Sequence, residues 1–97
     1  MEKIVHSYET IVIFSLKQGE EAVVALLEKV KTFIEKGAKN VALDDWGKRK
    51  LAYPINYELT GHYALFTFED TGEFVAELDR MYNITEGVLR SIIVKKD

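Results

Sequence analysis

The segment KLAYPINYELTGHYALFTFE, residues 50–69, contains two predicted strands and the turn that joins them. In its first half every second residue is apolar or aromatic, which is the alternation of a strand with two different faces. These alternating residues are Leu51, Tyr53, Ile55 and Tyr57. Glu58-Leu59-Thr60-Gly61 predicts a turn, and residues 62–69 predict a strand that pairs back on the first as a hairpin. Because Pro54 has no N–H to donate, we expect the first strand at a sheet edge.

Upstream of this hairpin the sequence predicts a strand, a helix and a further extended stretch. Residues 6–16 are rich in β-branched and aromatic side chains, which is typical of a strand. In residues 20–36 apolar side chains recur at the i, i+3, i+4 and i+7 spacing of one helix face. They are Val23, Leu26, Leu27, Val30 and Ile34. Residues 38–57 have extended character, which we expect to be broken at Asp44-Asp45 and Gly47.

Downstream of the hairpin the sequence predicts a second helix and a last strand. Asp70 is followed by Glu73 three residues later, which resembles the capping box that begins many helices. The apolar stripe of this helix consists of Phe74, Leu78, Met81 and Tyr82. Thr85-Glu86-Gly87 breaks the helical pattern, and residues 88–95 predict the final strand.

The predicted order of elements is strand, helix, strand, strand, helix, strand. This order predicts an α+β fold, the ferredoxin-like split βαβ sandwich (βαββαβ), with two helices on one face of a four-stranded antiparallel sheet. Its usual arrangement has the first and third strands in the centre and the second and fourth at the edges. This agrees with the edge position that Pro54 predicts for the second strand. The chain length of 97 residues predicts one domain, residues 1–97.

Composition and motifs argue against several classes of function. The chain has no Cys, which excludes disulfides, thiolate metal sites and cysteine nucleophiles. No apolar stretch approaches the ~20 residues of a membrane span, and the first residues do not resemble a signal peptide. The two His residues, the Asp44-Asp45 pair and the Ser residues lie outside any metal-binding or nucleophile motif. We expect no enzyme, no metal, no cofactor, no small-molecule substrate and no membrane partner.

The alternation of the strands leaves apolar residues on both faces of the predicted sheet. If Thr10, Val12 and Phe14 face the helices, Ile11 and Ile13 face away from them. In the last strand, Val88, Arg90, Ile92 and Val94 share a face. The uncovered face would then present Ile11, Ile13, Tyr63, Leu65, Ile92 and Val94. A contiguous apolar patch favours a protein interface; an error in strand register and a homodimer contact are the alternatives.

The formal net charge of −3 argues against a general nucleic-acid binder, but the bases are clustered. Lys48-Arg49-Lys50 are consecutive, and Lys95-Lys96 lie near the end of the chain. The triplet has two interpretations. Charged side chains on an edge strand prevent it from pairing with another chain. Beside Trp46 and Tyr53, the same triplet would suit phosphate contacts accompanied by aromatic stacking.

The run DWGKRKLAYPI, residues 45–55, resembles the signature segment of the bacterial small (30S) ribosomal subunit protein family number six. The resemblance extends to Tyr8-Glu9, Gly61-His62-Tyr63, Val88-Leu89-Arg90 and Val94-Lys95, so it covers nearly the whole chain in order. It implies a structural constituent of the small ribosomal subunit in the cytoplasm, without enzymatic activity. It also implies binding of small-subunit (16S) ribosomal RNA together with ribosomal protein number eighteen, in the platform region.

Two sets of site residues follow from this interpretation. For contacts with RNA we expect Lys48, Arg49, Lys50, Tyr53, Arg90 and Lys95. For the interface with the protein partner we expect Tyr8, Ile11, Ile13, Tyr63, Leu65 and Ile92, with Tyr8 suited to either surface. One alternative is an RNA-recognition motif, but its Lys/Arg-Gly-aromatic segment is absent from the third strand. The other is a ferredoxin-like metabolite-binding or homodimeric interaction domain.

Overall fold

The computed structural model describes residues 4–55 and 57–96. In chain order the elements are β1 (His6–Phe14), α1 (Glu20–Gly37), β2 (Lys39–Ile55), β3 (Glu58–Asp70), α2 (Glu73–Ile84) and β4 (Val88–Lys95). The strands form one antiparallel sheet in the order β2-β3-β1-β4, with β1 and β3 in the centre. The predicted ferredoxin-like fold is therefore confirmed. Residues 1–3, 56 and 97 of the predicted domain lie outside the described residues.

The core lies between one face of the sheet and the two helices. The sheet contributes alternate residues of its central strands, among them Val12, Phe14 and Phe66, which are fully buried. The helices contribute the apolar stripes predicted from the sequence; Leu26 is only partly buried. Within this layer the hydroxyl groups of Thr10 and Tyr82 form a buried hydrogen bond of 3.1 Å. Burial raises the pKa of Tyr82, although the hydrogen bond with Thr10 partly opposes the shift.

Helix α2 begins at Glu73 with Gly72 at its N-cap, so Asp70 lies two residues before the cap and not at the cap position of the predicted capping box. The Asp70 carboxylate accepts hydrogen bonds from the N–H groups of Gly72 at 3.0 Å and Phe74 at 2.9 Å. These bonds satisfy donors that the first turn of a helix leaves without an intrahelical partner. Within the described residues neither helix is long and apolar enough to cross a membrane.

The hairpin turn lies earlier than predicted. β3 begins at Glu58, and the reversal occurs around Tyr57, whose φ is 67° and whose side chain is 98% exposed. Gly61 is a strand residue and not part of a turn. A Cβ atom at this position would lie 2.6 Å from Ile13 Cγ2, so glycine is required by the close approach of β1.

The predicted interruption of the second strand is a bulge within a continuous strand. Pairing between β2 and β3 shifts register between Asp45 and Gly47, and Gly47 has a φ of 78°. The Asp45 carboxylate accepts a hydrogen bond from the Gly47 N–H at 3.0 Å. Strand pairing resumes at Gly47, so the acidic pair and the glycine change the direction of the strand without ending it.

Candidate functional site

The sheet face opposite the helices carries apolar side chains from its strands. Ile11 pairs with Leu65 on one side and Ile92 on the other, and Ile13 pairs with Tyr63 and Arg90. We call this surface the open face; its apolar members are Ile11, Ile13, Tyr63, Leu65, Ile92 and Val94. The alternative of a register error is thereby removed, because the neighbouring Val12 pairs with Ala64 and faces the core.

Tyr8 does not belong to the open face. It shares the parity of Thr10 and Val12 along β1, is 8% exposed, and packs in the core with its ring stacked 5.5 Å from that of Phe68. The assignment of Tyr8 to a partner surface is therefore corrected. The prediction for Val88 is also corrected, because the pairing skips Leu89 near the start of β4 and places Val88 against the core.

The tip of the β2–β3 hairpin, which in the described residues comprises residues 51–55 and 57–58, curls over one end of the open face. β2 and β4 lie at opposite edges of the sheet, yet the Arg90 guanidinium carbon is 5.8 Å from the Tyr53 ring centroid. Leu51 is 6% exposed and Ile13 beneath the tip is 9% exposed. The Glu58 carboxylate anchors the tip by accepting hydrogen bonds from the Ser15 hydroxyl at 2.8 and 3.0 Å. The open face is thus partly covered by its own chain.

An apolar cavity of about 240 Å³ lies between the hairpin tip and the open face. We call it the open-face cavity. Isoleucines from the sheet and aromatic and aliphatic side chains from β2 line it, and among the described residues Arg90 is the charged member of the lining. The lining consists of Ile11, Ile13, Trp46, Leu51, Ala52, Tyr53, Ile55, Tyr63, Arg90 and Ile92.

Four residues of this cavity are absent from the predicted site, namely Trp46, Leu51, Ala52 and Ile55. The signal that points to them is the alternation of Leu51, Tyr53 and Ile55, which gives the tip one apolar side. Alternation identifies such a side but not the surface that it covers. Tyr53, which we expected to contact RNA, lines the cavity and stacks with Arg90.

The basic triplet is divided between the two sides of the sheet. Lys48 pairs with His62 and Arg49 with Gly61, so their side chains leave the strand in opposite directions. Lys48 lines a separate cavity with Asp45 and His62 on the helical side, where the His62 Nε2 and Asp45 Oδ1 atoms are 2.6 Å apart. Arg49 stacks on Trp46 with 5.4 Å between the guanidinium carbon and the ring centroid.

Lys95 lies far from the triplet. It pairs with Tyr8, whereas Arg90 pairs with Ile13 further along β1, which corresponds to a separation of about 17 Å along the strand. The predicted RNA-binding residues therefore form three groups. Arg49, Tyr53 and Arg90 lie near the open-face cavity, Lys48 and Lys50 have the parity of the helical side, and Lys95 lies at the opposite end of the sheet.

The structure offers no constellation for metal chemistry in the residues that it describes. Within residues 4–55 and 57–96 no three His, Asp or Glu side chains are arranged to hold a metal ion. The acids on the open side have partners. Glu9 pairs with Lys96 at 3.2 Å, and the Asp44 carboxylate accepts a hydrogen bond from the Trp46 indole N–H at 3.0 Å.

Comparison with known proteins gives a consistent result. A family model described as ribosomal protein S6 matches residues 7–95. The small ribosomal subunit protein bS6 of Caldanaerobacter subterraneus is 44% identical over 92 residues, which are 94% of this chain and 97% of the relative. The bS6 protein of Clostridium perfringens is 48% identical over 91 residues, covering 93% and 96% of the two chains.

A solved structure shows the same fold. The crystal structure of 30S ribosomal protein S6 from Thermotoga maritima superposes with a TM-score of 0.88 at 29% identity. The superposition covers 96% of this chain and 89% of the other.

Proposed function

Because the chain belongs to the ribosomal protein S6 family, we propose that it binds 16S ribosomal RNA together with ribosomal protein number eighteen in the platform of the small subunit. The relatives are named as ribosomal proteins of the small subunit and not as enzymes. The proposal extends this family membership to two specific partners, and it places the protein on ribosomes in the cytoplasm.

The observation that carries the protein partnership is the open face. Outside the area that the hairpin tip covers, Ile92 is 46% exposed and Val94 is 49% exposed. They lie next to an open cavity that is lined almost entirely by apolar side chains. Exposed apolar patches of this kind are a feature of protein interfaces, where burial supplies much of the binding free energy. A partner that covers the face would bury these side chains.

Charge supports a shared RNA contact more than an independent one. The net charge is −3, and phosphate binding depends on Lys and Arg. Among the predicted RNA-binding residues, the exposed bases outside the open face are Lys48, Lys50 and Lys95, at separate positions on the sheet. We propose that these lysines provide phosphate contacts and that Arg49 adds one from the side of the open-face cavity. A basic partner would provide the rest of the neutralisation.

The test uses three purified components, which are this protein, ribosomal protein number eighteen of the same organism, and a central-domain fragment of 16S RNA. Binding is measured at two salt concentrations. We expect weak RNA binding by this protein alone, tight binding by the pair, and an affinity that falls as salt rises. Tight RNA binding by this protein alone, or failure to form the pair, would contradict the proposal. Sedimentation of the protein alone measures its molecular mass in solution and so tests the alternative that it forms a homodimer.

A further inference from the structure

We infer that the partner segment seated in the open-face cavity presents a large apolar side chain with a carboxylate beside it, and that Arg90 binds this carboxylate rather than RNA. The inference rests on the proposed function and deepens it, since it states the chemistry of the partner at one place in the interface. It also moves Arg90 from the predicted RNA contacts to the protein interface.

The lining of the cavity favours a protein side chain over a nucleobase. Its lower surface is formed by Ile11, Ile13 and Ile92, and its sides include Trp46 and Tyr53. A base inserted there would bury its hydrogen-bonding edges against aliphatic groups, and unpaired buried polar groups are costly. An aliphatic or aromatic side chain carries no such cost. At about 240 Å³ the space is below the ~300–1,000 Å³ typical of ligand pockets.

The charge at the cavity comes from Arg90. Its guanidinium lies over the Tyr53 ring at 5.8 Å, a stacking that holds the group in place while its N–H edge stays free to form hydrogen bonds. The planar fork of a guanidinium matches a carboxylate, with which it forms two parallel hydrogen bonds. The position of Arg90 on the cavity rim therefore suits an acid next to an inserted apolar residue.

In the part of the chain that the structure describes, no Asp or Glu side chain forms an ion pair with Arg90. The ion pairs found there join His62 to Asp45 and Lys96 to Glu9, and neither involves Arg90. The other acids on the same side of the sheet have different partners: Asp44 accepts the Trp46 N–H and Glu69 accepts the Asn40 amide. The guanidinium thus faces an apolar cavity with an aromatic ring, and not a carboxylate, as its contact.

The experiment measures the affinity of the protein pair by calorimetry in the absence of RNA. We compare wild type with Arg90→Gln, with Arg90→Lys, and with Arg80→Gln as a matched control on the exposed surface of α2. We expect Arg90→Gln to weaken the pair about tenfold or more, because docking desolvates a charge that has lost its partner. Arg90→Lys should recover part of the loss, and Arg80→Gln should leave the affinity unchanged.

A second measurement tests the alternative that Arg90 binds RNA and not the protein partner. RNA binding is titrated with the protein pair held at saturating concentration, so that a weaker protein contact does not reduce the signal. The inference requires Arg90→Gln to have little effect in this titration. It is overturned if Arg90→Gln leaves the protein pair intact and weakens RNA binding instead. A wild type that forms no pair overturns the proposed function as well, whereas a pair insensitive to Arg90→Gln overturns only this inference. Thermal melts confirm that each variant is folded.

Discussion

Both faces of the sheet carry apolar side chains, but the two faces differ in how far they are covered. On the helical face, Val12 and Phe66 are fully buried by α1 and α2. On the open face, the hairpin tip covers Ile13, which is 9% exposed. Ile92 lies outside the covered area and is 46% exposed. Both faces alternate along the same strands, so neighbouring residues of one strand belong to different environments. In the function that we propose, stability depends mainly on the helical face and partner binding mainly on the open face.

The hairpin tip is an exception to this division between a covered and an uncovered face. It belongs to the strand pair β2–β3 but packs against the open face, and Glu58 fixes it to Ser15 at the end of β1. Part of the open face therefore contributes to stability as well. The part that remains free is the β4 side, together with the cavity beneath the tip.

The largest expected effect compares adjacent residues of β3. Phe66→Ala removes a fully buried ring from the core and should lower the free energy of unfolding by about 3–5 kcal/mol. Leu65→Ala, on the half-buried open face, should lower it by about 1 kcal/mol, because less apolar area is lost. Urea unfolding of both variants measures the difference. Equal losses would show that the open face is as important to stability as the core.

The next effect concerns binding and uses exposed aliphatic residues on opposite layers. Ile92→Asp should weaken the protein pair by about thirtyfold or more, because it puts a charge into the proposed interface. Val24→Asp, at a 57% exposed position on α1, should not change the affinity. Calorimetry without RNA measures both. If Val24→Asp weakened the pair as much, the partner would bind the helical layer.

A smaller effect tests the hydroxyl pair on the covered face. Burial raises the folded-state pKa of Tyr82 above its ordinary value of 10.0, so its stabilising contribution is complete below pH 10 and declines as the pH rises further. The free energy of unfolding should fall above pH 10 by up to about 1.4 kcal/mol per pH unit from this residue. Tyr82→Phe should remove that part of the slope. Urea unfolding at pH 9, 10 and 11 measures it, and an unchanged slope would contradict the assignment.

The smallest effect concerns the exposed edge strand. Lys48→Ala should weaken RNA binding by the protein pair about two- to fivefold and reduce the slope of log affinity against log salt by about 1. The protein pair itself should keep its affinity. Lys29→Ala, on the exposed surface of α1, is the control. A loss of protein affinity in Lys48→Ala would mean that the partner extends around the edge of the sheet.

Much of the fold could be predicted because it depends on local periodicity. The spacing of Val23, Leu27 and Val30 requires one buried helix face, and the parity of Val12 and Ile13 separates two faces of a strand. Pro54 identified an edge strand because a missing N–H is a property of the residue itself. Asp70 likewise indicated the start of α2, since a short acidic side chain can reach the first N–H groups of a helix.

The errors occurred where a residue type has more than one structural use. Gly61 suggested a turn, but it lies within β3, where the close approach of β1 leaves no room for a side chain. Tyr8 suited an interface by its chemistry, but its parity buries it beside Phe68. The basic triplet is contiguous in sequence, yet pairing with β3 sends Lys48 and Arg49 to opposite sides.

The sequence alone determined the order of elements, the two faces of each central strand and the resemblance to a ribosomal family, since these depend on patterns within short segments. Only the tertiary structure showed that the hairpin tip covers part of the open face and brings Tyr53 to Arg90 across the width of the sheet. That contact depends on the bulges and curvature of a long strand pair, whose effects accumulate over many residues. Periodicity states which side chains share a face, whereas the curvature of the chain decides what that face touches.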